Sequence, residues 1–360
     1  MIFKGRYKLL GEFQNANSGN ARWSFVEDSE TGKEYFIKEF LSPRFPLSDT
    51  PGSKKVLERK KQRCLNFEKR QMYLKDKILS KTAVGGNLIT TIDFFREGTK
   101  YYKISEKVEI SHLTIEEIAL LTLDEKMMLM KTVAHSLKIL HGLNILHADL
   151  KPDNVLIKTT KKGTHTTKLI DFDDSFFMDD IPKSIDDIVG TMLYYSPEIA
   201  TAMEKDDTSI LTLKSDVYTL GLIYCQYLTG ELPRYDIEKY DYPWEASLEL
   251  SDDLNVDDKA LPVEIKEILN KMLLTNADER MDISSVHRSL KEVKFKEKVA
   301  SSKPKKTLLK VKKTEIKVKE STVKEEKSSS LKGKLLAEKK SIGSKLKGKL
   351  LSKKYKFGKG

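Results

Sequence analysis

The run His147-Ala148-Asp149-Leu150-Lys151-Pro152-Asp153-Asn154 packs an imidazole, two carboxylates, an ammonium and a carboxamide into one short loop. Short apolar strand candidates follow it at Val155 to Lys158 and Thr167 to Ile170, and the second leads directly into Asp171-Phe172-Asp173. Polar groups held between buried strands must satisfy one another or meet a ligand. A polar turn is the bland reading of the loop, but a second acidic triplet at fixed spacing asks for more than a turn.

The elements around this loop fall into two unlike halves. From Tyr7 to Phe40 the residues favour three antiparallel strands, the last being Glu34 to Phe40, with turn signals at Asn15 to Asn20 and Ser29 to Gly32. Apolar positions recurring at helical spacing predict one long helix over Lys54 to Leu79. Two further strands are predicted at Leu88 to Phe95 and Tyr101 to Val108. After Leu113 the pattern turns helical: Leu123 to His141, Lys214 to Thr229, Pro262 to Leu274 and Ile283 to Glu292. This predicts an α+β chain of two lobes with a cleft between them: residues 1–108 strand-rich with one helix, residues 109–295 mainly helical.

Charge sets the remainder apart. Residues 296–360 hold 23 Lys, no Arg and six Glu, a net charge of +17, so a chain that is +11 overall leaves residues 1–295 at −6. Any pull toward acidic partners concerns this tail alone. Periodicity fades there, and Leu331-Lys332-Gly333-Lys334-Leu335-Leu336 recurs at Leu346 to Leu351, so the tail is expected to be disordered when free. Its candidate partners are an acidic protein, an anionic membrane surface or nucleic acid. The last has little aromatic surface to stack on, and glycine within each repeat opposes a membrane-bound helix. Cys64 and Cys225 suggest neither a disulfide framework nor a metal site, and the start shows no signal-peptide pattern. No run reaches the ~18 apolar residues of a membrane span. The expected location is cytoplasmic.

With these motifs in order, residues 5–295 resemble the eukaryotic-type (Hanks-type) Ser/Thr protein kinase family, which bacteria also use, and the chain is compatible with a bacterial member. The resemblance implies a protein substrate, ATP and Mg²⁺. In its pattern Asp149 orients the substrate hydroxyl and accepts its proton, Lys151 contacts the transferring phosphate, and Asn154 and Asp171 are the hard oxygen ligands of Mg²⁺. Lys38 matches the strand lysine that holds the phosphates, and Glu68 is its expected helical partner, with Glu58 the competitor. Thr191 matches the threonine that bridges the catalytic aspartate and lysine, Glu198 is expected to pair with Arg280, and Asp216 to brace the catalytic loop. The nucleotide is expected to meet Ser18, Gly19, Glu106, Val108 and Leu156, with Ser105 just before the hinge.

Several positions depart from the family pattern. The three loop glycines fall on Ala16, Ser18 and Ala21, and Trp23 and Phe36 replace the small residues that cover adenine. Ala148 stands where an arginine normally pairs with an activation-segment phosphate, so phosphorylation at Ser175 or Ser184 is not expected to be the on-switch. Asp173 replaces the last glycine of the metal-binding triplet and is expected to stiffen that turn. Three rival readings stay open: a pseudokinase scaffold, a small-molecule phosphotransferase, and a nucleic-acid-binding protein driven by its tail.

Overall fold

In the computed structural model the described residues are 1–16, 21–82, 86–160, 162–250, 254–256 and 258–293. The tail from residue 296, and with it the expected disorder and the Leu-Lys-Gly repeats, lies outside them. Residues 1–293 form one compact unit.

The first half is a single antiparallel sheet. Its strands are β1 (Ile2–Phe3), β2 (Tyr7–Leu9), β3 (Gln14–Asn15), β4 (Ala21–Asp28), β5 (Glu34–Phe40), β6 (Thr91–Glu97) and β7 (Lys100–Glu106), in the order β1-β2-β4-β5-β7-β6 with β3 on β4. Side chains alternate between faces along each strand. One face carries Val26, Ile37, Tyr102 and Ile104 into a core with Phe3, Tyr7 and Phe95. The opposite face holds Trp23, Phe25, Phe36, Lys38, Lys103 and Ser105, because Trp23 pairs with Lys38, Phe25 with Phe36, Phe36 with Ser105 and Lys38 with Lys103. α1 (Lys54–Leu79) packs over part of this face, bringing Cys64 and Phe67 against Phe40, Phe94 and Tyr101. Ser53 caps its N-terminus by accepting from the Val56 amide.

The second half is built round α5 (Lys214–Thr229), whose residues from Ser215 to Cys225 are all buried. Gly230 ends it in the left-handed conformation, at φ 86°, that terminates many helices. Around it lie α2 (Ile115–Ala119), α3 (Leu123–His141), α4 (Pro197–Lys205), α6 (Pro243–Leu250), α7 (Val263–Met272) and α8 (Ile283–Glu292). Capping boxes at Thr114/Glu117 and Thr122/Glu125 start α2 and α3. Short strands β8 (Ile145–Leu146), β9 (Val155–Thr159), β10 (His165–Leu169) and β11 (Phe176–Phe177) pair β10 with β9 and β11 with β8. They carry the polar loop and the acidic triplet at their ends.

Several strand bounds differ from the sequence reading: four strands rather than three lie between Tyr7 and Phe40, β6 ends at Glu97, β7 begins at Lys100, β9 ends at Thr159 and β10 spans His165–Leu169. β6 begins at Thr91 rather than Leu88, because Leu88 bridges Leu169 of β10 and the Ile89 amide donates to the Leu169 carbonyl at 2.9 Å. β7 stops at Glu106, two residues short of Val108. The short helices α2, α4 and α6 were not anticipated. Among the described residues no helix is long and apolar enough to cross a membrane.

Candidate active site

β8 and β9 bracket residues 147–154, and buried Asp216 of α5 fixes the loop from below. Its Oδ2 accepts from the His147 amide at 2.8 Å, its Oδ1 from the Ala148 amide at 3.1 Å, and His141 Nε2 lies 2.9 Å from Oδ2. The chain turns sharply here, with Ala148 at φ 67°, a region that costs an L-residue about 1 kcal/mol or more. The two amide bonds to one buried carboxylate hold it there. The His147 ring, to which the sequence assigned no role, packs edge-on to Phe172 and reaches the Ile170 carbonyl at 3.0 Å.

Above this base, three side chains converge on the Asp149 carboxylate. Lys151 Nζ donates to Oδ2 at 2.6 Å, Thr191 Oγ1 donates to Oδ1 at 3.1 Å, and Lys151 Nζ also donates to Thr191 Oγ1 at 3.0 Å. Asn154 Nδ2 donates to the Asp149 carbonyl at 2.7 Å and to Oδ2 at 3.3 Å. Asp149, Lys151, Thr191 and Asn154 are thus brought together although Thr191 lies 40 residues from Lys151. The Ile170 amide donates to the Asn154 carbonyl at 3.0 Å, which sets Asn154 beside Asp171. Asp171 is itself left-handed, at φ 64°, a conformation aspartate tolerates better than most residues.

Lys38 reaches this cluster from β5. It stands 2.7 Å from Asp171 Oδ1 and 2.7 Å from Asp173 Oδ2. Burial alone would lower its pKa, but Asp173 and then Asp171 outweigh that and hold the ammonium well above the usual lysine range. The expected partner Glu68 is elsewhere: its Oε1 accepts from the Tyr101 hydroxyl at 2.6 Å and lies 3.6 Å from Arg96. The Lys38–Glu68 pairing is therefore corrected. Buried Tyr101 captures Glu68 on α1, while Asp173 fills its place at Lys38. The competitor Glu58 is exposed.

The segment after Gly190 is clamped from several sides. Trp244 Nε1 donates to the Met192 carbonyl at 3.0 Å, and Thr219 Oγ1 to the Tyr194 carbonyl at 2.7 Å. A Cβ at Gly190 would stand 2.7 Å from a Tyr195 ring carbon and 3.0 Å from the Ala148 carbonyl. Glycine there lets this segment close on the Asp149 loop. Glu198 pairs with fully buried Arg280 through two bonds, of 2.6 and 3.0 Å, and accepts from Ser215 at 2.9 Å. Trp244 could not be found from the sequence because α6 carries no motif.

On the nucleotide side, Ser18 and Gly19 lie outside the described residues. Glu106 ends β7 within 3.5 Å of Lys168 Nζ, while Val108 and Leu156 are partly buried. Trp23 stacks on Phe36 at 5.8 Å between ring centroids, with Phe25 edge-on to both. These rings form an aromatic underside to the sheet. A recess of about 260 Å³ opens beside them, lined by residues including Leu10, Trp23, Phe25 and Lys107.

The donor set suits a hard cation. Asp171 and Asn154 carry oxygen atoms on neighbouring chain segments joined by the Ile170 amide to Asn154 carbonyl bond. An ion bound by few protein oxygens and completed by water and phosphate is the manner Mg²⁺ prefers.

Comparison with known proteins agrees with this geometry. Residues 51–290 match the family model described as protein kinase domain. The chain is 26% identical over 281 residues to calcium-dependent protein kinase 4 of Plasmodium berghei, covering 76% of this chain and 47% of that protein. It is 26% identical over 295 residues to the serine/threonine-protein kinase DCLK1 of Mus musculus, covering 72% and 35%. It is 30% identical over 163 residues to the ovarian-specific serine/threonine-protein kinase Lok of Drosophila melanogaster, covering 44% and 32%. The chain spans about half the length of the first relative and about a third of the other two.

Proposed function

The chain belongs to the protein kinase family, and from that premise we propose that it transfers the γ-phosphoryl group of ATP to serine or threonine hydroxyls of proteins. The observation that carries this reading is the closed set Asp149, Lys151 and Thr191, each bonded to the other two. Phosphoryl transfer asks for an aligned nucleophile and stabilised charge rather than covalent chemistry by the protein. A carboxylate fixed at both oxygens still has lone pairs to accept from an incoming hydroxyl. Asp149 orients that hydroxyl and takes its proton. Lys151, bonded to Asp149 and Thr191, presents its ammonium beside the reacting oxygen. Lys38 holds phosphate oxygens from above. Asp171 and Asn154 would hold Mg²⁺, and MgATP supplies the transferable group when bound. Glu106, Val108 and Leu156, with Ser18 and Gly19, would meet the nucleotide under the aromatic wall.

In this reading residues 1–108 and 109–295 are the two lobes of the catalytic body, and the lysine-rich tail from residue 296 offers serines and threonines for self-phosphorylation. The small-molecule phosphotransferase reading is disfavoured because that class normally lacks an equivalent of Lys151-Pro152 and of Thr191 through Glu198, which this chain has and ties to the Asp149 loop through the Thr191 bridge. The pseudokinase rival draws on the stacked Trp23 and Phe36 rings.

The test is incubation of the full chain with labelled ATP and Mg²⁺, alone and with a basic protein substrate, beside Asp149→Ala and Lys38→Met. Label on wild type that both substitutions abolish supports the reading, and mass spectrometry then locates the sites. Absence of label together with calorimetric absence of MgATP binding would leave a scaffold.

A further inference from the structure

Lys38 and Lys103 are directly opposite each other in the β5–β7 ladder, with side chains on the same face. Like charges at such cross-strand positions repel, and both side chains are largely buried, at 14% and 10% exposed. Asp173 lies between them. Its Oδ2 is 2.7 Å from Lys38, and its Oδ1 accepts from Lys103. Burial would push this carboxyl up, but Lys103 and Lys38 hold it well below the usual carboxylate range. Meanwhile Glu68, on the helix that faces these strands, is bonded to the Tyr101 hydroxyl.

We propose that Asp173 is the positioning carboxylate for Lys38 in this chain, taking the place of Glu68, and that Lys103 is the counter-cation that lets a second buried carboxylate sit beside Asp171. The proposal rests on the kinase reading above and deepens it. A lysine on an inner strand position and an aspartate where the family has glycine are each costly alone, since either would leave an uncompensated buried charge. Together they neutralise one another. The Lys38 ammonium is then aimed by a residue on the same turn as Asp171, so nucleotide-side and metal-side groups are set by one element. Movement of α1 toward Lys38 ceases to be required for a competent site.

The test compares Asp173→Asn with Glu68→Gln in the full chain, with two readouts. In steady-state kinetics at varied MgATP, Asp173→Asn is expected to lose about 30-fold in kcat/KM, while Glu68→Gln loses no more than about 3-fold. In nucleotide-free protein treated with sulfosuccinimidyl acetate, Lys38 acetylation followed by peptide mass spectrometry is expected to accelerate about 5-fold or more in Asp173→Asn, where Lys38 keeps only Asp171 of its two carboxylates, and to stay unchanged in Glu68→Gln, because each paired carboxylate makes the amine a poorer nucleophile. A charge-neutral variant guards against misfolding: Lys103→Leu with Asp173→Gly removes the added pair together. It is expected to fold and to become sensitive to a further Glu68→Gln. Loss in Glu68→Gln equal to that in Asp173→Asn would overturn the proposal. So would Asp173→Asn turning over faster than wild type, which would make the contact inhibitory. If wild type shows no transfer, the kinase reading fails separately. The acetylation rates then decide the pairing alone, and unchanged labelling in Asp173→Asn would sink it.

Discussion

Thr191 donates to the Asp149 carboxylate at 3.1 Å and accepts from Lys151 at 3.0 Å, so one hydroxyl closes the triangle that aligns the candidate base. Thr191→Val keeps the shape and deletes both bonds. It is expected to lower kcat about 10-fold with KM for ATP changed less than about 2-fold, because the lost contacts align the hydroxyl acceptor rather than the nucleotide. Thr191→Ser is expected to restore most of the rate. Equal loss in the two variants would argue for packing by the methyl group instead.

Arg280 is wholly buried and spends its guanidinium on Glu198, the Lys214 carbonyl at 2.7 Å and the Leu274 carbonyl at 2.9 Å. Arg280→Met would strand the Glu198 carboxylate, and breaking a buried pair from one side costs about 3–5 kcal/mol. Urea denaturation should show a loss of that order, with Glu198→Met plus Arg280→Met recovering part of it. A loss under about 1 kcal/mol for Arg280→Met would mean that water reaches the site.

Long elements were legible because their signals are local. α3 begins at the Thr122/Glu125 capping box and α5 ends at left-handed Gly230, so the bounds read from the sequence coincide with those observed. Partner choice was not local. The run from Leu88 looks like the start of β6, yet Leu88 and Ile89 join β10, and no periodicity distinguishes the two pairings. Within the site, Asp149, Lys151, Asn154, Asp171, Glu198, Arg280 and Asp216 were named through the family resemblance, and the structure brings Asp149 to Lys151 and Asn154, Glu198 to Arg280, and Asp216 to the His147 amide. The partner of Lys38 was misread. Helix position offers two glutamates, Glu58 and Glu68, and Lys103 passes for an ordinary strand lysine until the register sets it opposite Lys38. Only then does Asp173 become the nearest answer to two buried ammoniums.

Ser175 and Ser184 are the serines between the acidic triplet and Gly190, and neither is expected to act as a phosphorylation switch. Ser175 is fully buried and donates to the His147 carbonyl at 3.1 Å, out of reach of a modifying enzyme. Arg70, which reaches this segment from α1, donates to the Ser175 carbonyl, and Ala148 offers no cation. Phosphatase-treated protein and Ser184→Ala are each expected to keep activity within about 2-fold of untreated wild type. Ser175→Ala should cost about 1 kcal/mol of stability through its lost hydrogen bond. A phosphatase-induced loss of an order of magnitude would contradict this.

Asp174 gives the fold a pH dependence of definite sign. Burial, followed by the charges of Asp173 and Asp171, pushes its carboxyl up to about 6, above the usual ~3.9 of an unfolded aspartate. The native state therefore holds a proton that the unfolded chain has released. Its contribution is at its best below the unfolded pKa and is lost as pH rises from about 4 through about 6. At pH 7.5 the ionised group costs the native state about 2–3 kcal/mol relative to a neutral side chain. Asp174→Asn is expected to raise stability by that order at pH 7.5 and to match wild type near pH 4, measured by denaturant unfolding across the range. A stabilisation independent of pH would assign the effect to packing. A destabilisation at pH 7.5 would show that the ionised carboxylate makes a favourable contact, and would reverse the sign argued from its burial among like charges.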